Sequence, residues 1–153
     1  MNSALENANT GLHVITMYYC LAVGVAIWCS ITDVTHRRIP NLAVLLLSVM
    51  AVVVSFISGT WISWSVFLLS IIVGVLLYLF RCFGAGDIKF FWACMLMVPE
   101  QLEMLLVSTA LFGGLLALVY LAKHKFHPKE VGTLPYGVAI SSGLVLCLCE
   151  VMF

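Results

Sequence analysis

Charged residues are scarce in this sequence: seven Lys and Arg and seven Asp and Glu make up 9% of its 153 residues. Soluble domains carry about a quarter. With 63% of residues hydrophobic, too few polar groups remain to cover a water-facing surface, so the solvent is lipid. The first eleven residues hold no Lys or Arg and only Glu6. That start, followed by an apolar run of about twenty residues, excludes a cleavable signal, which needs a positive start and a shorter core. The six cysteines include no CxxC pair. Nearly all lie inside apolar runs, where a free cysteine packs as a small hydrophobe, and a disulfide framework belongs to small secreted folds. No HExxH motif is present, so neither a metal site nor a cofactor is expected. Internal repeats and low-complexity tracts are absent as well.

What is present is a series of apolar runs. A bilayer core of about 30 Å takes roughly 20 helical residues. The runs 12–31, 42–57, 61–80, 88–98, 102–122 and 136–152 meet or approach that length. The expectation is an all-α membrane protein, a single polytopic domain over 1–153 built as a six-helix bundle. The fourth run is the short one. It is either a short helix buried by its neighbours, with local thinning of the membrane, or a reentrant segment.

The basic residues test the alternation. Arg37 and Arg38 fall in the first connection, Arg81 and Lys89 in the third, and Lys123, Lys125 and Lys129 in the fifth. The second connection, Ser58-Gly59-Thr60, is uncharged, and the fourth holds only Glu100 and Glu103. Positive residues mark the cytoplasmic side, so six crossings place both termini on the other side. Trp61 and Trp64 suit an interfacial belt.

Three acidic residues then fall on the cytoplasmic side: Asp33, Asp87 and Glu130. Asp33 extends the first helix just past its last apolar turn. In the loop that follows, Pro40 drives Ile39 toward extended backbone and Asn41 is placed to cap the second helix. A plain Asp33–Arg37 ion pair at i, i+4 spacing is the simpler reading of that carboxylate. Asp87 follows Gly84-Ala85-Gly86, where glycines allow a tight turn and close approach. There Asp87 opens the fourth helix, at the end whose free N–H groups favour an anion. Alone, it is a helix cap.

Together the two acids mean more. Both lie at the same leaflet, one at the end of the first helix and one at the start of the fourth. Carboxylates about 4 Å apart repel by roughly 4 kcal/mol at an effective dielectric near 20, so such a pair tends to hold one proton. An ionised carboxylate that takes a proton from water, beside a protonated one that polarises a carbonyl, is the chemistry of peptide hydrolysis.

Asp33 with Arg38-Ile39-Pro40-Asn41, and then Gly84-Ala85-Gly86-Asp87-Ile88-Lys89, resembles the type IV prepilin peptidases. The GxGD element is shared with presenilin-type and archaeal preflagellin peptidases. The short chain, and Leu134-Pro135-Tyr136-Gly137-Val138-Ala139 before the last helix, are similar to the compact prepilin peptidases of tight-adherence (Flp) pilus systems. The resemblance implies a bacterial inner-membrane aspartic endopeptidase with Asp33 and Asp87 as its dyad. Prepilins and pseudopilins are then the partners, cut between a basic leader and an apolar helix at the cytoplasmic face. Gly84, Gly86, Lys89, Arg38, Pro40 and Asn41 become candidate substrate-binding residues. Longer members also methylate the new N-terminus and carry a cytoplasmic region with paired CxxC motifs. This chain lacks that region, so cleavage alone is expected.

Other constellations point elsewhere or to structure. Lys89 either neutralises charge near the dyad, binds substrate backbone or snorkels. His124 and His127, among Lys123, Lys125 and Lys129, read as a topology anchor. Phe112-Gly113-Gly114 permits close helix packing. Ser141-Ser142-Gly143 has no histidine within reach in the apolar bundle, which argues against serine catalysis. A reading of another class is a non-enzymatic assembly scaffold or a small transporter, with the aspartates as ion sites. The lack of charged or Pro-interrupted positions near any helix centre argues against transport.

Overall fold

The computed structural model describes residues 2–80, 83–126 and 134–152, with side chains from 10–80, 83–123 and 134–152. Among these the regular structure is all helical, with six α-helices: α1 (Asn2–His36), α2 (Asn41–Ser58), α3 (Trp64–Leu79), α4 (Ala85–Met97), α5 (Leu102–Phe126) and α6 (Tyr136–Met152). A short 3₁₀ turn, Pro99–Gln101, joins α4 to α5. Three stretches are long and apolar enough to cross a membrane: Thr10–His36, Asn41–Ser58 and Pro99–Lys123. Their outward faces are apolar too. Leu111, Leu118 and Leu121 on α5 and Leu45 and Phe56 on α2 are all well exposed, which lipid tolerates and water does not. This is a helical membrane protein.

The core forms where small residues let helices approach. Ala22, Ala26 and Cys29 make one fully buried stripe on α1, at the i, i+4, i+7 spacing of a single helix face. α6 lies against that stripe, and the Ser141 hydroxyl donates to the Ala26 carbonyl at 2.9 Å. Apolar attraction between helices is weak in lipid, so small contact residues and interhelical hydrogen bonds carry much of the association. The pairings are α5 with α6, α1 with α6, α2 with α4, α1 with α2, α4 with α6 and, lightly, α3 with α4.

α4 is one continuous helix. At 13 residues it rises only about 20 Å, and Phe90, Ala93, Cys94, Met95 and Met97 are buried among its neighbours. Two local expectations need correction. Asn41 does not cap α2. Pro40 occupies the N-cap with no side-chain bond, and its carbonyl accepts from the Ala43 and Val44 amides, since Asn41 already has helical backbone. Gly84 and Gly86 do not make a tight glycine turn either. Gly84 is extended, at φ −72°, and Gly59, which ends α2 at φ 73°, is the only glycine with positive φ among the described residues.

The side chains of His124, Lys125, His127, Lys129 and Glu130, and all of Arg81 and Cys82, lie outside the described residues. Cys20, Cys29, Cys94, Cys147 and Cys149 are free thiols.

Candidate active site

Four helix ends meet around one cavity of about 1030 Å³. The end of α1 brings Asp33, Arg37 and Arg38; the end of α3 brings Tyr78 and Leu79. The start of α4 brings Gly84, Gly86 and Asp87, and the approach to α6 brings Leu134 and Tyr136. α1 runs past its apolar stretch to His36, which carries Asp33 on rigid helix rather than on a loop. Arg37, at φ 53°, breaks the helix there, and its amide donates to the Asp33 carbonyl at 3.1 Å. A non-glycine residue in that left-handed region is strained, which makes the reversal sharp. On the side-chain level, Arg37 donates from Nη2 to the Tyr120 hydroxyl at 2.8 Å, tying the end of α5 to the same rim.

Asp33 is only 6% exposed, and its Oδ2 accepts the Gly137 amide at 2.7 Å. Gly137 lies in the first turn of α6, where amides have no intrahelical partner. The carboxylate of α1 therefore caps α6, in a short bond of the charge-assisted kind. Glycine is required here by proximity. A Cβ on residue 137 would stand 2.8 Å from Asp33 Oδ2 and 3.0 Å from its Cγ.

Asp87 is half-buried at the third position of α4, and its Oδ2 accepts the Gly84 amide at 3.2 Å. This is half of a capping box, so the cap expected from sequence exists. It occupies only Oδ2. Asp87 precedes the apolar run of α4. Burial first, and the charge of Asp33 second, push its carboxyl up to about 6, against the lowering effect of the Gly84 amide. Each aspartate accepts one backbone amide through its Oδ2. Two acids lining one space that admits water can share and exchange a proton.

A model of the type IV leader peptidase family matches residues 20–148, a span that includes both aspartates and all six helices in whole or part. The chain belongs to the type IV leader peptidase family. No curated protein and no solved structure matches it. Family membership makes this a membrane-embedded peptidase.

Of the residues singled out from the sequence, the leader peptidase brings Asp33, Asp87, Gly84, Gly86 and Arg38 to one cavity. Pro40, Asn41 and Lys89 do not line it; Asn41 and Lys89 are exposed outside it. Sequence reasoning missed the Gly137 amide, together with Tyr78, Phe83 and Tyr136 in the wall. The rings of Phe83 and Tyr136 pack with centroids 4.6 Å apart. A signal for Gly137 was available: Pro135 followed by Gly137 opens α6, and a helix start presents unpaired amides that need an anion.

Proposed function

We propose that this leader peptidase is an aspartic endopeptidase in which Asp33 and Asp87 form the catalytic dyad. The observation that carries the proposal is that two carboxylates from distant parts of the chain line one cavity, each held by a backbone amide through a single oxygen. The pair shares one proton, and Asp87 carries it in the reactive state. Asp33, held by the shorter bond, is the base. Asp33 takes a proton from a water held between the acids, and the water oxygen attacks the scissile carbonyl carbon. Asp87 gives its proton to the carbonyl oxygen. Asp33 then gives its proton to the amide nitrogen as the C–N bond breaks, while Asp87 takes back the proton of one diol hydroxyl, which leaves a carboxylic acid, a free amine and the dyad as it started.

The substrates are prepilins and pseudopilins, cut between a basic leader and an apolar helix at the cytoplasmic face of the bacterial inner membrane. The distribution of Arg and Lys among the connections supports that sidedness, with six crossings of a single polytopic domain and both termini on the opposite side. Arg38, Gly84 and Gly86, at the cavity, contact the backbone around the scissile bond. The reaction is cleavage without methylation.

Co-expression with a type IV prepilin, reading the mature N-terminus by mass spectrometry, tests the proposal. Wild-type protein yields one N-terminus at the leader junction, and Asp33→Asn and Asp87→Asn yield intact prepilin while still inserting. Full processing by either variant would remove the dyad.

A further inference from the structure

A second cavity, about 610 Å³, borders the first. Phe83, Asp87 and Tyr136 belong to both. The main packing of α3 is on α4, and it is light; α3 and α5 form two walls of the groove, with α4 and α6 between them. On α5 the lining runs from Leu102 to Ala117, a rise of about 22 Å. That is most of the apolar thickness of a bilayer.

We infer that this groove holds the apolar helix of the substrate, lying along α5 with its leader junction at Asp87. The inference deepens the proposed function and rests on it. Polarity along the groove is what selects the occupant. Asp87 is its one charged lining residue and sits at the end where the first cavity begins; the rest is apolar or uncharged. An apolar helix that follows a basic leader has the matching pattern, uncharged along its length with positive charge beyond one end. The α5 wall is also shaped for a helix. Ala110, Gly113, Gly114 and Ala117 line it at i, i+3, i+4 and i+7, the small-residue spacing that lets helix backbones approach in lipid. A Cβ added at Gly114 meets nothing within 4 Å. This glycine is therefore not needed for packing inside the protein, and its missing side chain leaves the groove open.

The experiment uses the full chain in membranes with a type IV prepilin as the probe, its leader and apolar helix intact. A photoreactive phenylalanine analogue is placed at Val73 or Leu106 on the groove, and at Leu111 or Leu115 on the outer face of α5, in the Asp33→Asn background so that substrate stays uncut. Crosslinks from the two groove positions to the prepilin's apolar segment, with none from the outer face, are expected. In the otherwise wild-type chain, Gly114→Leu raises KM for prepilin about tenfold with kcat little changed, the pattern of lost substrate binding. Leu69→Trp, on the opposite wall, does the same. Equal crosslinking from both faces, crosslinks between two copies of the peptidase, or an unchanged KM in both filling variants overturns this inference alone, provided wild-type protein cuts the prepilin. Wild-type protein that cuts no prepilin takes down the peptidase reading and this one with it.

Discussion

Adding one methyl group at position 137 probes the geometry around Asp33 more finely than removing the acid. In Gly137→Ala the new Cβ would stand 2.8 Å from Asp33 Oδ2, 3.0 Å from Cγ and 3.1 Å from the aspartate Cβ. All three are too close, and the nearest heavy atoms belong to a short side chain on a rigid helix, so Asp33 must turn away or α6 must shift. Either movement breaks the 2.7 Å bond from the Gly137 amide. A hydrogen bond to a charged group contributes about 1.5–3 kcal/mol, so its loss in the reacting state lowers kcat/KM about 10- to 150-fold. The assay is single-turnover cleavage of a prepilin in proteoliposomes. Overpacking also costs about 1–3 kcal/mol of stability, so insertion and melting are measured alongside. The discriminating arm is the Asp33→Asn background, where adding Gly137→Ala changes residual turnover no further. A Gly137→Ala protein with near wild-type kcat/KM would refute the claim that this amide positions the base.

Two further outcomes follow from particular contacts. Ser141→Ala removes the 2.9 Å bond to the Ala26 carbonyl in the same α1–α6 contact but away from the acids. It is expected to lower stability by about 0.6 kcal/mol, the usual size of such bonds in membranes, and to leave kcat/KM unchanged; a large loss of turnover would place catalytic weight on general α1–α6 packing. The Asp87 carboxyl, raised from 3.8 to about 6, binds its proton more tightly in the folded than in the unfolded chain. Its contribution therefore favours the fold below about pH 3.8 and is lost as pH rises through about 6. Unfolding of detergent-solubilised wild-type protein should show stability falling over that window, and Asp87→Asn should flatten that part of the profile.

The helices and the two acids were legible in the sequence because both signals are local. Apolar runs of near-membrane length stand out against rare charges, and an aspartate at the edge of such a run is conspicuous. The limits of the runs were less informative than the runs themselves. α1 continues to His36 because helix formation does not stop where apolarity does, and that extension is what carries Asp33. The role of Gly84 was misjudged for a related reason. Glycine suggested a tight turn, whereas the backbone is extended and a Cβ would crowd Asp87 Oδ2 at 3.0 Å. The Gly137 amide escaped notice because its acceptor lies on the first helix while it lies on the last; the helix start at Pro135 signalled unpaired amides but not which acid would meet them. The groove was illegible for a different reason: it lies between α3 and α5 with α4 and α6 also lining it, an arrangement of distant elements that no periodicity in any one helix records.

The central claim is that Asp33 and Asp87 act as one unit. Single-turnover rates of prepilin cleavage for wild type, Asp33→Asn, Asp87→Asn and the double variant measure this directly. Groups that function together are strongly non-additive, so each single substitution is expected to reduce turnover to the level of the double variant. Losses that multiply independently, or one single variant that retains most of the wild-type rate, would contradict the account.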